Sequence, residues 1–369
     1  MKVVVVIPTY NERENIRVLL TELDKAFGTA KKYSISYLVV DDTSPDGTAQ
    51  VVETFRKTHK DVFIISGKKE GLGKALLRGM TQAFEHMDAD VVLQIDADLS
   101  HDPTVAPRLL SAIDNGATFA VGSRYIPGGA IPGNWGLIRK IYSIIGNSIV
   151  RFGLWHIDVR DWTGGYRAYT KKFYLATHRE MEKYSGYVFQ IAFLHKSIHH
   201  GAIVKEIPFH FTDRLYGHSK IAPAEYIFNI YKYIAVSRFQ EITSWSFFKF
   251  GVVGTIGFII NTVVLELMVR AGLHPAAGSA TGAELAIISN FLLNNAWTFG
   301  DRKVIGKKMI PKFLQFNITS LGALIIQTVS VWVGTVLFGK SAYFVSYIIG
   351  VGVGLVWNYI MYSRVIWKK

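Results

Sequence analysis

Two stretches near the C-terminus, Phe313–Phe338 and Ser341–Ser363, run without a single charged side chain. Each exceeds the roughly 20 apolar residues that an α-helix needs to cross the hydrocarbon of a bilayer. Backbone in hydrocarbon must satisfy its own hydrogen bonds, which only helices and closed barrels achieve, so the pair reads as a hairpin of membrane helices. Two weaker apolar segments precede it: Phe250–Leu265, followed by Glu266, and Leu285–Phe299, preceded by Glu284. Together they predict a four-helix transmembrane domain over 246–369. The linker Asp301–Lys312 holds Arg302, Lys303, Lys307, Lys308 and Lys312, whereas the linkers on the other side hold Arg270 and Lys340. The positive-inside rule then puts both ends of this domain and its middle loop in the cytosol.

The first 125 residues have a different grammar. Short apolar runs (Val3–Ile7, Tyr37–Val40, Val62–Ile65, Val91–Ile95, Thr118–Gly122) alternate with amphipathic segments such as Asn11–Phe27, where Ile16, Leu19, Leu20 and Leu23 share a face. Such alternation implies an α/β domain with a mainly parallel sheet and helices on both faces. Val3–Ile7, closed by Pro8, is too short for a signal-peptide core, so residue 1 is expected to begin a folded cytosolic domain. The chain has no cysteine, which excludes disulfides and thiolate chemistry. Its net charge of +13 suits anionic lipid or phosphorylated substrates. No basic run with interleaved aromatics stands out, so nucleic acid is not an expected partner.

The fourth apolar run ends in Asp96-Ala97-Asp98-Leu99-Ser100. Ligands of parallel sheets bind beyond the carboxyl ends of the strands, and two hard oxygen donors there can share a divalent cation that also holds a diphosphate. Other motifs fall at the same rim. After the first strand, Pro8 and Tyr10 can lie against a nucleotide base, with Glu12 accepting from base or ribose, although Thr9 or Asn11 can equally cap a helix. Asp41 and Asp42 end the second strand, one of them expected to hold the following turn. Gly71-Leu72-Gly73-Lys74 opens a helix and offers a cation to a phosphate. Arg124, in Gly122-Ser123-Arg124-Tyr125, is either a cation at the rim or an ordinary salt-bridged arginine. Trp162–Arg167 is a glycine turn, and Asp213–Lys220 a polar loop able to close over an anion. Asn134–Trp155 is amphipathic and reads as a helix lying on a membrane surface or packed on the core. The histidines show no metal-ligand spacing, and His199-His200 reads as a solvated helix end. Asn290, Asn294 and Asn295 read as helix-packing amides, and Gly350 and Gly354 as a small-xxx-small packing pair.

Taken in order, Pro8–Glu12, Val40–Asp42, Asp96–His101, Gly122–Tyr125, Gly186–Gln190 and Arg214-x-Tyr216-Gly217-x-Ser219-Lys220 resemble family-2 glycosyltransferases of the GT-A fold, and among them the dolichol-phosphate mannose synthases. From about Ser246 the chain is similar to GtrA-type membrane domains, through its hydropathy and Asn294-x-x-Trp297-Thr298-Phe299. This resemblance implies a GT-A domain over 1–220, an interfacial linker over 221–245, and transfer of mannose from GDP-mannose to dolichyl or another polyprenyl phosphate with Mg²⁺ or Mn²⁺. The nucleotide sugar is then expected at Pro8, Tyr10, Glu12, Asp41, Asp42, Lys74, Asp96, Asp98, Gln190, Arg214 and Lys220. The metal is expected at Asp96 and Asp98, with Ser100 standing where some relatives carry a third ligand. The lipid phosphate is expected at Arg124, Arg139 and Ser143, and catalysis at Asp98 and Arg124. Membrane lipids are expected partners, and a homo-oligomer through the membrane domain is allowed for. Rival readings are a glucosyltransferase using UDP-glucose, a flippase for the lipid-linked sugar with an attached transferase, and a nucleotide-sugar-binding regulator without turnover.

Overall fold

Val3 to Ile7 are buried on both faces of their strand, as a central strand of a parallel sheet requires. They form β1 (Lys2–Thr9). In the computed structural model, which describes residues 1–28, 30, 32–213 and 223–368, the chain divides into two compact units, Met1–Arg238 and Phe239–Lys369.

In the first unit β1 is followed by α1 (Arg13–Phe27), β2 (Ser34–Asp41), α2 (Thr48–Phe55), β3 (Val62–Ser66), α3 (Leu72–Thr81), β4 (Val91–Gln94), α4 (Ala106–Asp114) and β5 (Phe119–Ser123). Next come α5 (Leu137–Gly153), β6 (Arg167–Thr170), α6 (Lys171–Met181), α7 (Gly186–His199) and β7 (Val204–Pro208), with α8 (Pro223–Ser244) leading out of the unit. The seven strands lie in the order β3-β2-β1-β4-β6-β5-β7. Val4 and Val6 on one face of β1 pack with Leu76 and Met80 of α3 and Phe189 and Phe193 of α7. Val3, Val5 and Ile7 on the other face pack with Leu19, Leu20 and Leu23 of α1 and Leu109 and Leu110 of α4.

Pairings among β1, β2, β3 and β4, and between β5 and β7, are parallel. β6 runs antiparallel to both β4 and β5. The excursion from β5 to β6 starts and ends at the carboxyl rim of the sheet, so the returning strand descends between its neighbours. The order reverses between β1 and β4, and such a switch point opens a crevice at the carboxyl ends.

The second unit holds α9 (Ser246–Arg270), α10 (Pro275–Leu293), α11 (Met309–Phe338) and α12 (Tyr343–Met361). With their short flanking turns they are long and apolar enough to cross a membrane. Leu324, Ile325, Ile348 and Ile349 among many others point outward, the expected surface for lipid contact. The Gly350 and Gly354 pair serves α11 within the chain: a Cβ on Gly350 would stand 2.9 Å from the Gln327 Cα, and one on Gly354 3.2 Å from the Ala323 Cβ. Asn295 bonds the linker before α11 and the C-terminal segment, whereas the sequence reading expects a neighbouring helix. Its side chain donates to the Val304 carbonyl (2.9 Å) and accepts from the Val304 amide (2.7 Å) and the Trp367 indole (2.9 Å).

Candidate active site

Three strand ends converge on one crevice. Thr9 is in register with Asp41 across β1 and β2, and Val6 with Gln94 across β1 and β4. Pro8, Tyr10, Glu12, Asp41, Asp42, Asp96 and Asp98 therefore all stand at or just beyond the carboxyl rim.

The two acids that end β2 divide their work. Asp41 is buried and turns inward, accepting from Thr9 Oγ1 (3.0 Å), the Ser44 amide (2.9 Å) and Ser44 Oγ (2.6 Å). It holds the turn, so the expectation that it faces the nucleotide passes to Asp42. Asp42 accepts from the guanidinium of Arg78. Burial pushes the Asp42 carboxyl above its ordinary value, against the opposing pull of Arg78. Arg78 was not a candidate from sequence. Its signal was there in outline, because it lies four residues after Lys74 on α3 and so on the same face. Lys69 Nζ stands 3.6 Å over the Tyr10 ring, a second cation at the rim that the sequence did not single out. Glu12 accepts from the Asn15 amide group at 2.8 Å, inside the first turn of α1.

Beyond β4 the Asp96 side chain is 33% exposed, whereas Asp98 is buried. Leu99 adopts φ +61°, a left-handed turn that folds the acid loop back on itself. Asp98 Oδ1 accepts from the Ser100 amide (3.1 Å) and Ser100 Oγ (2.6 Å). The Ser100 hydroxyl thus donates to Asp98 and braces that acid. His101 Nδ1 accepts from the Asp96 amide (3.2 Å), which leaves the ring hydrogen on Nε2, 3.9 Å from Asp96 Oδ2. Gly165 passes so close that a Cβ there would sit 3.3 Å from both Asp96 oxygens. Two carboxylates with hard oxygens, one partly exposed and one buried, suit Mg²⁺ or Mn²⁺.

Arg124 is the salt-bridged arginine of the ordinary reading. Its Nε and Nη2 each meet a different oxygen of Asp161 at 2.7 Å, and Nη2 also reaches Thr163 Oγ1 at 2.9 Å. Asp161 is fully buried. Burial alone would raise its pKa, but Arg124 and the amides of Arg124 and Gly164 hold it below the ordinary value. Ser143 shares a hydrogen bond with the Tyr125 hydroxyl (2.5 Å). Arg139 is different: its side chain is 54% exposed, lies 3.9 Å over the Trp135 ring, and contacts Asp213 Oδ1 at 3.3 Å. Gln190 is buried on α7, and its backbone carbonyl accepts from Arg167 at 2.5 Å. Arg214 and Lys220 lie outside the described residues.

Both readings of α5 hold in part, because one face packs on the core through Val150 and the other is apolar and exposed. Leu137, Ile138, Ile141, Tyr142, Ile145 and Phe152 are exposed, while Asn147 and Val150 face inward. His199 and His200 do end α7 and are exposed, as read, but the expectation of no metal-ligand spacing is corrected: His195 and His199 are one turn apart on α7 and meet His156.

A Rossmann-like sheet with an acid pair at its switch point, in a chain that also carries four membrane helices, defines a membrane-linked GT-A glycosyltransferase. Residues 4–178 match the family profile "Glycosyl transferase family 2", and residues 249–367 match "GtrA/DPMS, transmembrane domain". The chain is 32% identical to a dolichol-phosphate mannosyltransferase of Pyrococcus furiosus, over 100% of this chain and 99% of that protein. It is 37% identical to a polyprenol monophosphomannose synthase of Mycolicibacterium smegmatis, over 60% of this chain and 81% of that one. It is 34% identical to an undecaprenyl-phosphate mannosyltransferase of Micrococcus luteus, over 66% and 98%. The chain belongs to the dolichol-phosphate mannosyltransferase family, and it is a glycosyltransferase.

Proposed function

We propose that the protein transfers mannose from GDP-mannose to dolichyl or another polyprenyl phosphate at the cytosolic face of the membrane, with inversion at the sugar. The observation that carries this reading is the placement of Asp96 and Asp98 beside Tyr10 and Asp42 at one rim, in a chain that matches a dolichol-phosphate mannosyltransferase end to end. Tyr10 and Asp42 hold the nucleoside, with Arg78 keeping Asp42 charged and Lys69 and Lys74 near the phosphates. Asp96 and Asp98 would hold a Mg²⁺ or Mn²⁺ ion, which supplies charge neutralisation at the departing diphosphate.

The acceptor needs no protein base. A phosphate monoester has a second pKa of about 6 and is already largely a dianion near neutral pH. One of its oxygens attacks the anomeric carbon, the bond from that carbon to the diphosphate breaks, and GDP leaves with the bonding electrons. Asp161, the side chain to which a hydroxyl acceptor would first turn for a base, is committed to Arg124, which supports this reading. Arg139 is the cation placed to receive a lipid phosphate, because it sits on the helix whose apolar face is exposed. The basic loop Arg302–Lys312 supports a cytosolic catalytic domain.

The experiment is a competition of donors. The purified full chain is incubated with polyprenyl phosphate, a divalent metal and either GDP-mannose or UDP-glucose, and the extracted lipid is identified by mass spectrometry. Mannosyl phosphoryl polyprenol from GDP-mannose alone is expected. A glucosyl lipid from UDP-glucose, with none from GDP-mannose, contradicts the proposal.

A further inference from the structure

Three histidines meet away from the catalytic rim, where the chain leaving α5 passes the last turns of α7. His195 and His199 bring their Nε2 atoms to 3.1 Å. His156 lies edge-on to both, its ring centroid 5.4 Å from that of His195 and 5.8 Å from that of His199. One ring nitrogen from each falls within 4.8 Å of the others. The approach of His156 depends on a strained residue. Trp155 has φ +61°, a left-handed conformation that is unfavourable for a bulky side chain. It leaves its indole 72% exposed, while the reversal turns His156 back toward α7. His195 is oriented from behind: its Nδ1 lies 2.9 Å from the Tyr233 hydroxyl on α8, and both residues are buried. A hydrogen bond on one ring nitrogen is the usual way a metal-ligating histidine is held with its other nitrogen forward.

We propose that His156, His195 and His199 form a site for a first-row transition-metal cation of the Zn²⁺ class, distinct from the acid pair at the rim. Imidazole nitrogens select such ions, whereas carboxylates suit Mg²⁺ and Mn²⁺. Tetrahedral zinc with nitrogens at about 2.0–2.1 Å places those nitrogens about 3.3 Å apart. The His195–His199 pair is already near that spacing, and rotation of the His156 ring closes the third side. Three protein ligands leave one position for water. The bound cation ties the end of α5, whose outer face is apolar and exposed, to α7, which packs against the sheet.

The test uses the full chain in detergent, purified without a polyhistidine tag and stripped of metal. Zn²⁺ is titrated by competition with a chromophoric chelator, in excess Mg²⁺ so that the acid pair is already served. One equivalent of Zn²⁺ per chain is expected, raising the melting temperature. Co²⁺ in its place is expected to give the intense visible bands of a tetrahedral nitrogen site. His156→Gln and His199→Gln, each checked for an unchanged metal-free melting temperature, should weaken binding by more than the about 10–100-fold that loss of an outer partner costs, and Tyr233→Phe should fall within that range. Should either histidine variant be too unstable to compare, the wild-type Co²⁺ spectrum decides alone. Zn²⁺ binding no tighter in the wild type than in the His156→Gln/His199→Gln double variant, or a Co²⁺ spectrum without tetrahedral bands, overturns the proposal.

Discussion

Arg124 and Asp161 form a two-pronged ion pair, Nε to Oδ2 and Nη2 to Oδ1 at 2.7 Å each, with side chains only 9% and 0% exposed. The pair joins the end of β5 to the loop before β6. Removing one member of a buried pair strands the other charge, at a cost of about 3–5 kcal/mol. Arg124→Met should therefore lower the melting temperature sharply, and Asp161→Asn should do the same by a smaller amount, since the amide still accepts one hydrogen bond. Because the folded pKa of Asp161 is lowered, the pair's stabilisation is present above the ordinary carboxylate value of 3.8 and is lost as pH falls below it. Wild-type stability should drop in that acid window more steeply than that of Asp161→Asn. Equal melting temperatures for Arg124→Met and wild type would show that the arginine is held for another purpose.

The ion pair of Asp42 and Arg78 is predicted to act on the donor. Arg78→Leu removes a charged hydrogen bond worth about 1.5–3 kcal/mol and should raise the KM for GDP-mannose by about 10–100-fold, with kcat changed far less. It should also make donor binding fail at a higher pH as acid is added, because burial then raises the Asp42 carboxyl unopposed. A donor KM equal to wild type across the pH range would remove Asp42 from the nucleotide site.

Arg139→Ala should raise the KM for polyprenyl phosphate by about tenfold or more, through loss of a charge-assisted contact to phosphate, while binding of GDP-mannose stays unchanged. If Arg139 only anchors α5 to anionic lipid, the variant will instead show a normal acceptor KM in neutral detergent and a weaker response of activity to added anionic lipid.

The absence of native cysteine makes the topology directly testable. A cysteine at Lys307 should resist an impermeant thiol reagent in intact cells, and one at Lys340 should react. The reverse pattern would place the catalytic domain on the far side of the membrane.

Much of the fold was legible because burial writes itself as apolar runs. β1, β2 and β4 are buried on both faces, and the last two membrane helices carry uncharged runs over Phe313–Phe338 and Ser341–Ser363. β6 was not legible: it is four residues long and opens with Arg167, whose fully buried guanidinium donates to the carbonyls of Gln190 and Trp162. A charged residue in a core strand contradicts the pattern that sequence reading depends on. At the site the acids were legible from their place after strands. Their partners were not, because Arg78, Lys69 and His101 are joined to Asp42, Tyr10 and Asp96 by tertiary contact. The contacts of Asp41, Ser100 and Arg124 have the same origin. Each is bonded to a neighbour, Ser44 for Asp41, Asp98 for Ser100 and Asp161 for Arg124, and composition does not reveal those pairings.

The central claim is that the acid pair after β4 drives mannosyl transfer to a polyprenyl phosphate. It is tested most directly by counting radiolabelled lipid formed from GDP-[¹⁴C]mannose by the wild type and by Asp98→Asn, with thermal melting to confirm an intact fold. The account predicts labelled lipid from the wild type, its disappearance in EDTA, and a loss of about 1,000-fold in Asp98→Asn, the scale of several kcal/mol of transition-state charge stabilisation. Near-normal turnover in Asp98→Asn, or turnover unaffected by EDTA, would contradict it.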